Sequence, residues 1–367
     1  MSRYEKLLKL GPYAIFLQRR WRLISARAAG SLRAVFRSDY GKGLPFAKVL
    51  GIHSKGWSVE DWNALNVASR KGEGLLSTVD YKRMHPLNGT YSSWIDDKLI
   101  LKYLCYAEDL KGLMPEYYFQ IEGGVVLSLP DCPDEHRDEG VEGVLSLLEE
   151  KGVLALKQIK GSLGEGFYKA ELAGGGFRLN GDDVSREELR GVLSSLEGYI
   201  GMEYLYPHES MRVFSTESPN TIRYLVGRVD GEPKFLKSFI RFGTVRSGFV
   251  ENYNSGGVLC YIDKNGYYDG GNLLDPETGE NAVVKTHPDT GEPLSGRVPL
   301  WDELVSNAEA FCRHFPQLTY LGFDFVVASN NEVKMLEINS LTSLDSIQLD
   351  SSVLQGEPGS FFKERLE

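Results

Sequence analysis

The chain has 367 residues, 42% of them hydrophobic and 25% charged, with a formal charge of −10; this is ordinary globular composition with room for two or three domains. No apolar run approaches the ~20 residues that span a bilayer, and the opening MSRYEKLLKL lacks the apolar stretch and cleavage site of a secretory leader. Cys105, Cys132, Cys260 and Cys312 lie far apart with no CxxC pair, so reduced thiols and a cytoplasmic location are expected rather than disulfides or a zinc site.

The charge is unevenly spread. Residues 1–48 hold 11 Lys and Arg against Glu5 and Asp39, a charge of +9, which leaves 30 basic against 49 acidic residues, −19, for the rest. Such a body repels nucleic acid. The basic segment, with Tyr13, Phe16, Trp21, Leu23 and Phe36, suits either an anionic membrane surface or the acidic body of its own protein.

In chain order, residues 1–95 read as helical and irregular. Residues 97–105 are helix-like, 122–129 contain the apolar run VVLSL, and 141–150 form an amphipathic helix with Val144, Leu147 and Leu148 on one side. A strand at 153–157 runs into a glycine-rich stretch. Ser185 with Glu188 makes a capping box that starts a helix. Strand-like runs follow at 199–205, 221–229 and 234–241. Residues 263–297, rich in Gly, Pro, Asp and Asn, read as loop, and Pro299 opens another helix. Strands and helices without strict alternation indicate an α+β fold. The expected division is 1–95, a basic helical region; 96–205 and 206–350, two α+β subdomains; and 351–367, a tail.

The sharpest signal lies at residues 320–339, two β-rich runs around a polar loop. A hairpin centred on Asn330–Asn331 sets 328 opposite 333, 326 opposite 335 and Asp324 opposite Glu337. Asn339 emerges on the same face, and Leu321, Phe323, Phe325, Leu336 and Ile338 on the other. Like charges facing each other destabilise a strand pair. Two carboxylates and an amide oxygen are hard ligands, suited to Mg²⁺ (or Mn²⁺) shared with phosphates; the plain alternative is a solvated acidic face. Upstream, Lys157 ends a strand before Gly161, Ser162, Gly164 and Gly166, a loop able to offer backbone N–H groups and a hydroxyl to phosphate, though glycine-rich hairpins are common. It is neither a Walker A motif nor GxGxxG.

Together these residues resemble the ATP-grasp superfamily. Its metal motif is an Asp, a Glu about a dozen residues on, and Asn at Glu+2; here the separations are 13 and 2. Its first ATP lysine, in an (N/D)K pair at a helix start, is matched by Asp97-Lys98, and its second, before a glycine-rich lid, by Lys157 with Lys160-Gly161-Ser162-Leu163-Gly164. The hinge strand that reads adenine is matched by 199–205. Met202 stands where an acid is common, so backbone groups of Met202, Glu203, Tyr204 and Leu205 are expected to read the base, with Glu203 or Glu209 on the ribose. A narrower resemblance is to the ATP-grasp proteins associated with sugar transfer and polysaccharide biosynthesis: Asn-Thr-Ile-Arg at 220–223, a hydrophobic-acid-Asn-x-x-x-Gly-Gly segment at 250–257, and His-Pro-Asp-Thr-Gly at 287–291.

The resemblance implies two subdomains clasping ATP, with Mg²⁺ on Asp324, Glu337 and Asn339. It implies a carboxylate–amine ligase working through an acyl phosphate, on a sugar acid or an amino acid. Arg223 is the candidate for the transferring phosphoryl group, Arg241 for an anionic substrate, Asn252 for orienting the acceptor and His287 for a general base. A phosphotransferase and a non-catalytic nucleotide-binding scaffold are the rival readings. The basic N-terminus would contact a membrane or polysaccharide-assembly enzymes.

Overall fold

The computed structural model describes residues 44–70, 73–161, 166–215, 218–248, 251, 253–275, 281–356 and 358–366; the basic residues 1–43 lie outside them. Short helices come first: α1 (Phe46–His53), α2 (Val59–Ala64), α3 (Thr78–Met84), α4 (Ser92–Asp96) and α5 (Lys98–Leu104). Ser58, Ser77 and Asp97 cap α2, α3 and α5 by accepting first-turn N–H groups, donors that would otherwise be unsatisfied.

The next unit contains β1 (Tyr117–Glu122), β2 (Val125–Ser128), α6 (Val141–Lys151), β3 (Val153–Gln158), β4 (Tyr168–Ala173), β5 (Gly176–Leu179), β6 (Asp182–Val184), α7 (Arg186–Ser195) and β7 (Glu197–Glu203). Its strands form an antiparallel sheet in the order β2-β1-β7-β3-β4-β5-β6. Val144 and Leu148 of α6 and Leu189 and Leu193 of α7 close one face over Leu154 and Leu156. Helix α7 begins with the capping box of Ser185 and Glu188, and α6 ends at Gly152, whose φ of 78° suits a residue without Cβ. Strand alternation sends Ala155, Lys157, Ile200 and Met202 to the opposite face.

The second sheet runs β13-β12-β10-β9-β8-β15-β16, built from β8 (Ile222–Val229), β9 (Glu232–Phe242), β10 (Val258–Ile262), β12 (Gly271–Leu274), β13 (Asn281–Val284), β15 (Tyr320–Val327) and β16 (Val333–Asn339). A separate ribbon pairs β11 (Tyr267–Asp269) with β14 (Ser295–Arg297). Residues 263–297 thus carry four short strands between their loops. Their glycines and prolines mark the turns between strands only three or four residues long, too short to show alternation. Helix α8 (Trp301–His314) lays Leu304, Ala308 and Phe311 on one face against Phe323 and Phe325; it starts two residues after Pro299.

The other face is covered by Ile52, Trp57 and Tyr81 from the N-terminal helices and by α9 (Leu344–Gln348) and α10 (Pro358–Leu366). With both faces covered, all eight residues of β15 are buried. Residues 358–366 are thus part of the core, not a tail: Phe361 and Phe362 are 0% exposed, and Phe361 stacks on Tyr320 with ring centroids 5.7 Å apart. The contact needs Gly227, where a Cβ would lie 2.5 Å from the Phe361 ring. Among the described residues no helix is long and apolar enough to cross a membrane. Phe361→Ala is expected to lower stability by about 3–5 kcal/mol, as for other fully buried aromatics; urea unfolding of the full chain measures it.

Candidate active site

The hairpin of β15 and β16 sets the geometry. Asp324 pairs with Glu337 and Gly322 with Asn339, but nearer the turn Phe325 faces Met335 and Val327 faces Val333, one residue off the expected register. A bulge between Asp324 and Phe325 absorbs the difference, with Leu336 as the extra residue on β16. Leu336 is therefore turned away from the α8 core and lines the cavity, clustered with Leu205, Val326 and Ala328. Met335 takes its place in the core.

Asp324 is 4% exposed. Strand β8 runs beside β15 with Arg223 opposite Asp324, and the guanidinium grips the carboxylate by Nε at 2.6 Å and Nη2 at 3.0 Å. Arg241 of β9 adds Nη2 at 3.2 Å. Burial alone raises the Asp324 pKa, but Arg223 and Arg241 outweigh it and hold the carboxyl below its usual range. The remaining edge of Arg223 donates from Nη1 to Thr342 Oγ1 at 3.1 Å.

On the facing side, Asp97 caps α5 and so places Lys98 at its first turn. Lys98 Nζ reaches Glu337 at 2.9 Å and the Gly161 carbonyl at 2.8 Å. Lys157, on the sheet face below, has its pKa lowered by burial and further by Lys98, against the pull of Glu337, Glu251 and Asp324. An ammonium in that position gains most from an added anion. Asn339 Nδ2 lies 3.4 Å from Asp324 and 3.3 Å from Glu337. Turning the amide over would present its oxygen beside both carboxylates. The three donors converge as a hard-ligand set, so they fit Mg²⁺ or Mn²⁺.

These groups share one cavity of about 390 Å³ between the two sheets. Its lining includes the apolar Ala155, Phe167, Met202, Leu205 and Leu336, beside Glu203, and also Arg241, Glu251 and Tyr253. Burial raises the Glu203 pKa, and one of its oxygens accepts the Glu116 N–H at 3.2 Å. At the lid, Gly166 has φ 68°, and a Cβ there would lie 2.5 Å from the Tyr199 hydroxyl, so glycine is required.

Other expected residues stand elsewhere. Lys160 points outward, with Nζ 3.5 Å from Asp97. Glu209 sits exposed on a short turn outside the cavity wall, whereas Glu203 lines it. His287 is 1% exposed and outside the wall, with Nε2 3.0 Å from the Gly243 carbonyl; it braces that loop and is not placed to take a proton from a bound amine. Ser162, Gly164 and Asn252 lie outside the described residues. The neighbour of Asn252, Glu251, which the sequence reading did not single out, is buried in the cavity wall and accepts the Asn220 and Thr221 N–H groups, each at 2.9 Å. Burial raises its pKa against the opposing charge of Arg241. The bond from Arg223 to Thr342 has no sequence signal, although Thr342 belongs to the segment 340–345 in which the chain departs from the Pro-Gly turn common after this Asn.

Residues 81–358 match the model of the sugar-transfer associated ATP-grasp family. Among solved structures, D-alanyl-alanine synthetase A from Vibrio cholerae O1 biovar eltor is similar at 11% identity and TM-score 0.43, over 76% of this chain and 65% of that one. The ATP-grasp ligase PsnB, complexed with a minimal precursor, is similar at 12% identity and TM-score 0.39, over 76% and 62%. An L-amino acid ligase from Bacillus licheniformis is similar at 9% and 0.39, over 79% and 54%. The chain thus spans less than two thirds of the length of each of these proteins, and no curated protein matches its sequence. With the family match covering three quarters of its length, the chain belongs to the sugar-transfer associated ATP-grasp family.

Proposed function

We propose that this protein is an ATP-dependent carboxylate–amine ligase that forms an amide through an acyl phosphate. The observation that carries the reading is the single cavity in which Lys98, Lys157, Arg223 and Arg241 surround the Asp324, Glu337 and Asn339 donor set. The adenine lies between Met202, Leu205 and Leu336, and Glu203 takes the ribose. Lys98 and Lys157 bind the phosphates. Asp324, Glu337 and Asn339 hold Mg²⁺, which when bound neutralises triphosphate charge. Arg223 meets the phosphoryl group in transfer with its planar fork of donors, and Arg241 orients the anionic substrate.

The substrate carboxylate attacks the γ-phosphorus and ADP leaves. The amine then attacks the acyl carbon, and phosphate departs with the C–O bonding pair. Gly161 to Gly166 belong to the lid that limits hydrolysis of the acyl phosphate. The family's association with sugar transfer favours a sugar acid or amino acid in glycoconjugate or polysaccharide assembly, in the cytoplasm. The basic residues 1–43 are the segment to contact a membrane or assembly enzymes.

The test incubates the full chain with Mg²⁺-ATP and a panel of sugar acids and amino acids, with and without amines, and follows ADP and phosphate. Phosphate release that requires both acid and amine, and is lost in Glu337→Ala, is the expected result. ADP without free phosphate, with the label on a hydroxyl, would replace the ligase by a phosphotransferase. Lys98→Ala and Lys157→Ala are each expected to weaken Mg²⁺-ATP binding about ten- to a hundred-fold in calorimetry, the size of one hydrogen bond to a charged group.

A further inference from the structure

Segment 44–96 does more than cover the second sheet, because it grips the loop that follows the metal hairpin. Asp96 accepts the Ser340 N–H at 2.9 Å and its hydroxyl at 2.7 Å. Gln348 exchanges side-chain hydrogen bonds with the Leu76 backbone at 3.1 and 2.9 Å. Arg70 Nη1 donates to the Gln348 and Leu349 carbonyls at 2.8 and 3.1 Å. Arg70 and Leu76 precede the part of the chain that the family model matches, which starts at residue 81.

Between these anchors lies Tyr81. Its hydroxyl donates to the Thr342 carbonyl at 2.6 Å and sits 2.9 Å from the Tyr320 hydroxyl. With the Tyr81 proton committed to Thr342, Tyr320 is the donor in that second contact. Thr342 in turn accepts Arg223 Nη1 through its hydroxyl. Tyr81, Tyr320, Thr342 and Arg223 are 3%, 0%, 1% and 7% exposed, so water does not substitute for a lost link. The packing leaves little slack. A Cβ on Gly322 would lie 2.5 Å from Thr342 Oγ1 and 3.4 Å from Arg223 Cδ.

We propose that Tyr81 is a positioning residue for Arg223, acting through Thr342. Asp324 fixes one edge of the guanidinium and Thr342 fixes Nη1, which leaves two of the five N–H groups for a phosphoryl group in the cavity. The inference rests on Arg223 meeting that group, as in the proposed reaction. The N-terminal segment, through Tyr81, then sets the phosphoryl-transfer geometry from outside the nucleotide site.

Calorimetry on the full chain compares Mg²⁺-ADP alone with Mg²⁺-ADP plus beryllium fluoride, which mimics the phosphoryl group. Thermal unfolding first verifies that each variant is folded. Tyr81→Phe is expected to bind Mg²⁺-ADP as the parent does, but to lose about three- to ten-fold of the affinity gained from beryllium fluoride, the worth of one hydrogen bond. Thr342→Val loses it likewise, and Thr342→Ser, which keeps the hydroxyl, retains it. A parent-like gain in Tyr81→Phe with a loss in Arg223→Lys would overturn the relay and leave the reading of Arg223 standing. A parent-like gain in Arg223→Lys as well would remove both.

Discussion

A carboxylate in the middle of a strand buried on both faces is unfavourable unless its charge is met by well-placed partners. Asp324 is such a group, and much of the second sheet serves to satisfy it. Arg223 meets it in register from the neighbouring strand, and Arg241 reaches it from the strand beyond. The strand order β9-β8-β15-β16 brings the two arginines, the aspartate and Glu337 together, so the electrostatic balance of the site and the topology of the sheet are one constraint. Glu337, at the sheet's edge, takes its cation from Lys98 at the start of α5. That ion pair and the adjoining Gly161 contact link α5 and the loop after β3 to the β15–β16 hairpin.

The bulge in β16 serves both chemistry and packing. Without it, the register nearest the turn would carry Glu337 out of line with Asp324. With it, the two acids face each other and Leu336 joins the lining of the cavity. One inserted residue thus places a carboxylate facing Asp324 and a cavity-lining leucine on the same strand.

Much of the site was legible because its residues occur in local patterns. Asp97-Lys98 is a helix start, Lys157 ends a strand before glycines, and Asp324, Glu337 and Asn339 belong to one hairpin. The α+β class and the capping box at Ser185 were legible for the same reason. What escaped notice depends on distant parts of the chain. The role of Thr342 arises only when Tyr81 and Arg223 converge on it, and nothing near residues 358–366 announces that Phe361 fills the space above Gly227. The bulge is invisible to alternation, since a period of two gives no sign of an extra residue. His287, a polar residue in a polar loop, turned out to be buried because the neighbouring backbone folds over it.

The late burial of Phe361 and Phe362 has a consequence for synthesis. The first sheet is complete once residues 117–203 have been made, and most of its pairings join neighbours in sequence. The second sheet's inner face takes residues from Ile52 at one end of the described chain and Phe362 at the other. During translation the part of this face that Phe361 and Phe362 cover therefore stays open until nearly the last described residue is made, while the first sheet can already be folded. Contacts this far apart form slowly and leave a sticky surface open in the interim.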